Sequence, residues 1–263
     1  MEKLHGKTAL VTGSSSGIGK GIALHLAGLG ACVVITSRTL ASAERVAEEI
    51  VKCGGQAFPC RFDIDNQSTI APLLALIDER CGRLDILVNN ALSRPSIVPM
   101  PLQDMIYAQL QAGINANLTN TLELTVRAFP YLRVSKGNVV NIGSAAASRH
   151  MLGLPLYSII KGALWQATRV LAAEWSVYGV RVNQINPGVV QTDTHAQRFG
   201  KEESAKLMAG FGQYHPLGRV GRVEDVAELA GFMVSDQASW MTGAVVDLDG
   251  GYAQQGVAFP SAE

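Results

Sequence analysis

The chain has 263 residues, 48% of them hydrophobic and 17% charged. Its 22 Lys and Arg balance 22 Asp and Glu, so it carries no formal net charge at pH 7. This composition excludes a mainly disordered chain and leaves no basic footprint for a nucleic-acid backbone. No run of about 18 apolar residues is present to span a membrane. The N-terminus has no apolar core of a signal peptide. The expectation is a soluble cytoplasmic protein. Cys32, Cys53, Cys60 and Cys81 form no CxxC pair and the five histidines are scattered, so no metal site is expected. The four thiols read as reduced, buried small hydrophobes.

In chain order, short β-rich runs fall at 8–12, 32–36, 57–62, 84–89, 138–142, 181–185 and 244–248. Most are continuous Val/Ile/Leu strings, the pattern of strands covered on both faces. Helical patterns separate them. Ile18, Ile22, Leu26 and Leu29 form one apolar stripe, which Gly30 stops. Residues 68–80, 118–132, 158–178 and 223–234 read similarly. Strands alternating with crossover helices predict an α/β fold, a doubly wound parallel sheet of about seven strands with helices on both faces. No repeat or linker divides it, so one domain is expected. The stretch 192–222, with His195, Pro216 and several glycines, lacks firm periodicity and reads as a lid over a site. Its lysines and glutamates also fit an exposed helix.

The first strand runs through Gly13, Gly17 and Gly19 straight into the first helix. Glycines there let backbone amides approach a diphosphate, and the helix N-terminus adds partial positive charge. The alternative is a plain small-residue turn. Further on, Tyr157 and Lys161 lie i, i+4 on one helical face, and Ser144 follows the fifth strand run. A half-buried tyrosine with a snorkelling lysine is the bland reading of that pair.

With its G-x-x-x-G-x-G spacing, Asp63, Asn89-Asn90-Ala91, Asn117, Ser144, Tyr157-x-x-x-Lys161, Asn186-Pro-Gly and Asp249-Gly-Gly, the chain resembles the short-chain dehydrogenase/reductase family over residues 7–252. The 218–225 stretch resembles its 3-oxoacyl carrier-protein reductase branch. That branch often has a basic residue where this chain has Tyr178, before Gly179. The resemblance implies an NAD(P)H-dependent oxidoreductase interconverting a ketone or aldehyde and an alcohol, more as a ketoreductase. Tyr157 is then the acid/base. A free phenol has a pKa of about 10, and a neighbouring ammonium favours tyrosinate. Lys161 is that neighbour and also holds the nicotinamide ribose. Ser144 holds the substrate oxygen. Asn117, not Asn115, keeps the family's interval to a proline (Pro130) and supports a water relay to the lysine.

The cofactor contacts implied are Gly13, Ser15, Ser16, Gly17, Ile18 and Gly19 on the diphosphate. Ser37, Arg38, Asp63 and Ile64 serve the adenosine end. Asn90, Ala91, Tyr157, Lys161, Pro187, Gly188, Val190 and Thr192 serve the rest. Asp63 also reads as a helix N-cap, as do Asp65 and Asn66. Leu92 departs from the glycine usual in the family.

Ser37 stands where NAD-selective relatives carry an aspartate, and Arg38 can bind a 2′-phosphate bidentately. NADP(H) is the expected coenzyme, with NAD(H) the alternative. Since Ser16 gives no second basic anchor, selectivity rests on Arg38. The pocket wall at 151–156 is apolar, with Arg94, Arg149 and His150 beside it. Leu164, Trp165, Val170, Leu171, Trp175 and Val177 spread over more than one face of their helix, which with the resemblance predicts a homo-oligomer, a tetramer. The expected partner is a small-molecule substrate, with no nucleic acid and no membrane. A rival reading is a nucleotide-binding sensor or scaffold that has lost catalysis.

Overall fold

In the computed structural model, which describes residues 4–93, 97–194 and 200–254, the apolar runs become β1 (Thr8–Val11), β2 (Cys32–Ser37), β3 (Gln56–Arg61), β4 (Ile86–Asn89), β5 (Asn138–Ile142), β6 (Arg181–Pro187) and β7 (Val245–Leu248). All pair in parallel, in the order β3-β2-β1-β4-β5-β6-β7. Side chains alternate across a strand, so each strand feeds two cores. Leu10, Val34, Leu87, Val139 and Val182 face one side. Ala9, Val11, Val33, Ile35, Ile86, Val88, Val140 and Ile185 face the other.

Helices α1 (Gly17–Gly28), α2 (Leu40–Lys52), α3 (Ile70–Cys81), α4 (Tyr107–Ile114), α5 (Asn120–Ser135), α6 (Pro155–Trp175), α7 (Lys201–Gly212) and α8 (Val223–Val234) connect and cover the strands. Ile22, Leu26, Val46, Ile50, Val226 and Met233 put α1, α2 and α8 on one face. Leu73, Ile77, Leu124, Leu132, Leu171 and Trp175 put α3, α5 and α6 on the other. The strand order reverses between β1 and β4, which opens a crevice beyond their carboxyl ends.

The structure adds detail that patterning did not give. Helix α2 buries one clean stripe, Ala43, Val46, Ala47 and Ile50, that the sequence patterning did not single out. Ahead of α5, residues Asn115–Thr119 form a π-helical turn that continues from α4. Of the three candidate caps before α3, Asn66 caps the 3-10 turn Gln67–Thr69 that leads into the helix, its Oδ1 accepting from Ser68 N at 3.0 Å. Within 192–222, α7 is a mostly exposed helix, as the lysines and glutamates allowed; His195 lies outside the described residues, as does Arg94. The thiols are not all buried as expected. Cys60 is buried, but Cys53 is exposed, because it caps the end of α2 at the surface. Among the described residues no helix is long and apolar enough to cross a membrane, and no cluster of three metal-ligating side chains occurs.

Candidate active site

The crevice is a cleft of about 620 Å³, within the usual size of cofactor sites. One wall is the β1–α1 turn, held by hydrogen bonds on both sides. Gly13 N donates to Thr36 Oγ1 at 2.9 Å, and Ser14 Oγ accepts from Thr36 N at 2.9 Å. From β4, Asn90 Nδ2 donates to the carbonyls of Thr12 and Gly13, while Thr12 Oγ1 accepts from the amides of Asn90 and Ala91. This approach is so close that only glycine serves at two positions. A Cβ on Gly13, where φ is +64°, would stand 3.0 Å from Ala91 Cα. A Cβ on Gly19 would collide with the Asn90 amide and lie 2.5 Å from Gly13 O. Helix α1 begins at the cleft with no side-chain cap on its first amides and no acidic residue in its first turn. Unspent amides at a positive helix end fit a diphosphate.

The opposite wall comes from the exits of β5 and β6 and the start of α6. Pro155 at the first turn of α6 suits a helix start. Two and six residues on, Tyr157 and Lys161 line the cleft together with Ser144. Lys161 is buried, and its Nζ lies 5.7 Å from the Tyr157 ring centroid. Nζ donates to the Ile142 carbonyl at 2.8 Å, and no carboxylate pairs with it among the described residues. Burial without a counter-ion pushes its pKa down to about 8. Ser144 Oγ accepts from Ala146 N at 3.1 Å, which leaves the hydroxyl proton for an oxygen in the cleft. Its backbone N donates to Asn186 Oδ1 at 3.2 Å.

Asn186 belongs to a buried polar chain crossing the sheet beneath the cleft. Asp247 accepts from Asn186 Nδ2, Asn186 Oδ1 accepts from Gln184, and Thr168 donates to Gln184 Oε1. Asn141 donates to Thr168, and Asn89 donates to Asn141 and Thr125. Asn89, the first residue of the Asn89-Asn90-Ala91 motif, is therefore buried in this network; Asn90 and Ala91 line the cleft.

Of the other residues singled out from the sequence, Gly13, Ser15, Ser16, Gly17, Ile18, Gly19, Ser37, Arg38, Ile64, Pro187, Gly188 and Thr192 all line the cleft. Asp63, Val190 and Asn117 do not. Asp63 Oδ1 instead accepts from Asp65 N, closing a turn that brings Asp65 to the cleft. Val190 is buried in a bridge to Gly221. Asn117, in the π-helical turn, clasps the Ser93 backbone, accepting from its N at 2.7 Å, and donates to Gly113 O at 3.2 Å. Leu92 lines the cleft. Arg149 is engaged elsewhere, donating to the Tyr252 carbonyl at 2.7 Å and lying over its ring; His150 is exposed. Arg61 was not foreseen. Paired with Ser37 across β2–β3, it donates from Nε to the Arg38 carbonyl at 3.2 Å, which anchors the backbone that presents Arg38 at the cleft. The sequence carries no signal for a contact between residues 23 positions apart on two strands.

A family model described as enoyl-(acyl carrier protein) reductase matches residues 13–253. The chain is 33% identical over 254 residues to 7alpha-hydroxysteroid dehydrogenase of Escherichia coli (strain K12), with 96% of each chain covered. It is 34% identical over 250 residues to 3-oxoacyl-[acyl-carrier-protein] reductase of Pseudomonas aeruginosa, covering 94% of this chain and 98% of the relative. A solved gluconate 5-dehydrogenase from Burkholderia cenocepacia J2315, in complex with NADP and tartrate, superposes with a TM-score of 0.86 at 27% identity, covering 96% of this chain and 97% of that one. With the uncapped helix start, the glycine turn and the Ser144, Tyr157 and Lys161 wall in one cleft, these likenesses establish that the chain belongs to the short-chain dehydrogenase/reductase family, oxidoreductases that interconvert carbonyl and hydroxyl groups with a nicotinamide dinucleotide.

Proposed function

We propose that this enzyme is an NADP(H)-preferring ketoreductase that reduces a small-molecule ketone or aldehyde, with Tyr157 as its acid/base. One observation carries the reading: Ser144, Tyr157 and Lys161 reach the same cleft as the glycine turn. Residues 13–19 and the first amides of α1 hold the diphosphate. Ser37, Arg38 and Ile64 take the adenosine end, and Asn90, Ala91, Pro187, Gly188 and Thr192 line the path to Tyr157. Asp63 and Val190 shape this surface through their neighbours. When bound, the nicotinamide supplies the hydride to the carbonyl carbon.

The remaining work falls to side chains. The Ser144 hydroxyl, already accepting from Ala146 N, donates to the carbonyl oxygen and fixes its place. Tyr157 gives that oxygen its phenolic proton as negative charge builds there. The Lys161 ammonium behind the ring stabilises the phenolate left behind, and its burial keeps water from weakening that attraction. Asn117 holds the Ser93 backbone at the cleft wall. In the oxidative direction the same proton moves from the alcohol to Tyr157.

The near-equal identities to a steroid dehydrogenase and a carrier-protein reductase favour neither substrate class. The segment 192–222 acts as the lid of a single domain, entered at Thr192 and Thr194 in the cleft wall. The enzyme works as a homotetramer in the cytoplasm. No observation favours a non-catalytic sensor, since Ser144, Tyr157 and Lys161 are all in place. The test is oxidation of NADPH against a panel of carbonyl compounds. Tyr157→Phe is expected to bind the coenzyme normally and lose about a hundredfold or more in kcat. Binding without turnover on any carbonyl, or a near-normal kcat in that variant, overturns the reading.

A further inference from the structure

His215 lies outside every motif considered so far, yet it is one of the few buried titratable side chains, with 3% of its surface exposed. It follows α7 in the lid segment. Its Nε2 accepts from the Val189 backbone N at 3.2 Å, and its Nδ1 lies 2.9 Å from the Phe211 carbonyl in the last turn of α7. An imidazole that accepts at Nε2 carries its proton at Nδ1 and donates there. The two partners thus fix one neutral tautomer. The ring sits so close to the loop that a Cβ on Gly188 would come within 2.9 Å of Nε2. Gly188 itself lines the cleft.

Behind the imidazole stands Tyr252, with ring centroids 5.5 Å apart. Arg149 lies on Tyr252 with its guanidinium carbon 4.9 Å from the ring centroid, and its NH1 donates to the Tyr252 carbonyl. Asp249, also buried, accepts from the amides of Gly251 and Ala253 and fixes the turn that presents Tyr252. Leu217 N donates to Gly250 O at 3.1 Å, tying the same turn to the lid segment. Four segments meet on this column: the loop after Ser144, the Gly188–Val189 backbone, the end of α7 and the C-terminal turn.

We propose that His215 is a positioning residue for the nicotinamide end of the cleft, a two-sided hydrogen-bonding strut that sets the Gly188–Val189 backbone and is braced by Tyr252 and Arg149. The proposal rests on the reading that this cleft binds NADP(H) with its nicotinamide towards Tyr157. It identifies a residue that touches neither substrate nor cofactor and works through the backbone that does. Its signature is selective, because the adenosine end is bound at β2 and the glycine turn, away from the strut.

Two probes separate the ends: NADPH, which spans the cleft, and adenosine 2′,5′-bisphosphate, which occupies the adenosine end alone. Both are titrated into the full-length protein. His215→Leu removes donor and acceptor while keeping bulk. It is expected to weaken NADPH about tenfold, as for one lost buried hydrogen bond, and to leave the bisphosphate unchanged. His215→Gln offers a donor and an acceptor on one side chain and is expected to restore most of the NADPH affinity. Tyr252→Leu strips the brace from a partly exposed site and covers the case in which His215→Leu does not fold. It is expected to weaken NADPH alone, by a smaller factor. Equal weakening of both probes, unchanged NADPH affinity in His215→Leu and Tyr252→Leu, or no rescue by glutamine overturns the proposal. Wild-type protein that binds neither probe overturns the dinucleotide reading beneath it.

Discussion

Lys161 shows how one buried cation ties pH to binding. Its pKa falls from 10.5 to about 8 because burial disfavours the charged form. In the cofactor-free protein the ammonium is intact below about pH 8 and lost above it. If its protons reach the ribose hydroxyls of the coenzyme, affinity is full below that pH and falls about tenfold per unit above it. NADPH titrations from pH 7 to 9.5 check this, and a flat profile in the wild type refutes it. Lys161→Met should be weak and flat throughout. For stability the sign is opposite: between about 8 and 10.5 the unfolded chain holds a proton that the folded chain has released, so stability rises with pH over that window. At the other end of the cleft, Ser37 repels no phosphate, and neither Arg38 nor Arg61, whose Nε donates to the Arg38 carbonyl, is in an ion pair among the described residues. Arg61 on β3 steadies Arg38 through that carbonyl. The enzyme is expected to show a higher kcat/KM with NADPH than with NADH. Combining Ser37→Asp with Arg38→Leu should shift that ratio towards NADH by about 1.5–3 kcal/mol, the worth of one charged hydrogen bond. Arg61→Leu should lower kcat/KM for NADPH and leave NADH untouched. A wild type that prefers NADH ends this account of β2 and β3.

At the scale of elements, the sheet was legible because its strands are covered on both faces and so read as unbroken apolar runs; residues 138–142 and 223–234 coincide with β5 and α8. Tyr157 and Lys161 were legible because a helix fixes i and i+4 on one face. What stayed hidden depends on tertiary contact. The polar chain from Asp247 to Asn89 looks, in sequence, like scattered interruptions of apolar strands, since all its links but Gln184 to Asn186 run between different strands or helices. Asp63 and Asp65 could not be told apart until the turn between them was seen. The π-helical turn at Asn115–Thr119 is another case. An extra residue in a turn leaves no periodic trace, and such turns concentrate at functional sites. There Asn117 satisfies the Ser93 amide and the Gly113 carbonyl, both inside the protein. Asn117→Ala removes these hydrogen bonds from a buried site and is expected to cost about 1–3 kcal/mol of stability, with a fall in kcat as Ser93 loses its place in the cleft wall. Denaturant unfolding alongside steady-state kinetics checks both. Wild-type stability in that variant shows the clasp to be dispensable.

Across the whole molecule, the apolar surface left outside the two cores points to assembly. Helix α6 turns Leu164, Leu171 and Trp175 into the core. Ile159 and Val170 are exposed on the opposite side at a spacing of 11 residues, which keeps one helical face, and Val177 is exposed in the 3-10 turn that follows. Val126 and Val134 are exposed on the neighbouring α5. These residues belong to the layer that covers one face of the sheet. A second apolar exposure, Phe232 on α8 and the fully exposed Trp240 ahead of β7, belongs to the layer on the other face and the sheet edge. Large apolar side chains exposed on the same layer are the material of interfaces. One self-complementary patch closes a two-fold dimer, and two patches on different faces close a tetramer with two kinds of two-fold interface. Sedimentation at micromolar concentration is therefore expected to give a particle four times the 27.9 kDa chain. Val170→Glu, which adds charge at a position already exposed in the single chain, should break one interface and leave a dimer with a folded chain. Trp240→Glu should break the other, and the two together should release the monomer. A wild type that sediments only at 27.9 kDa would mean that both patches serve something other than copies of this chain.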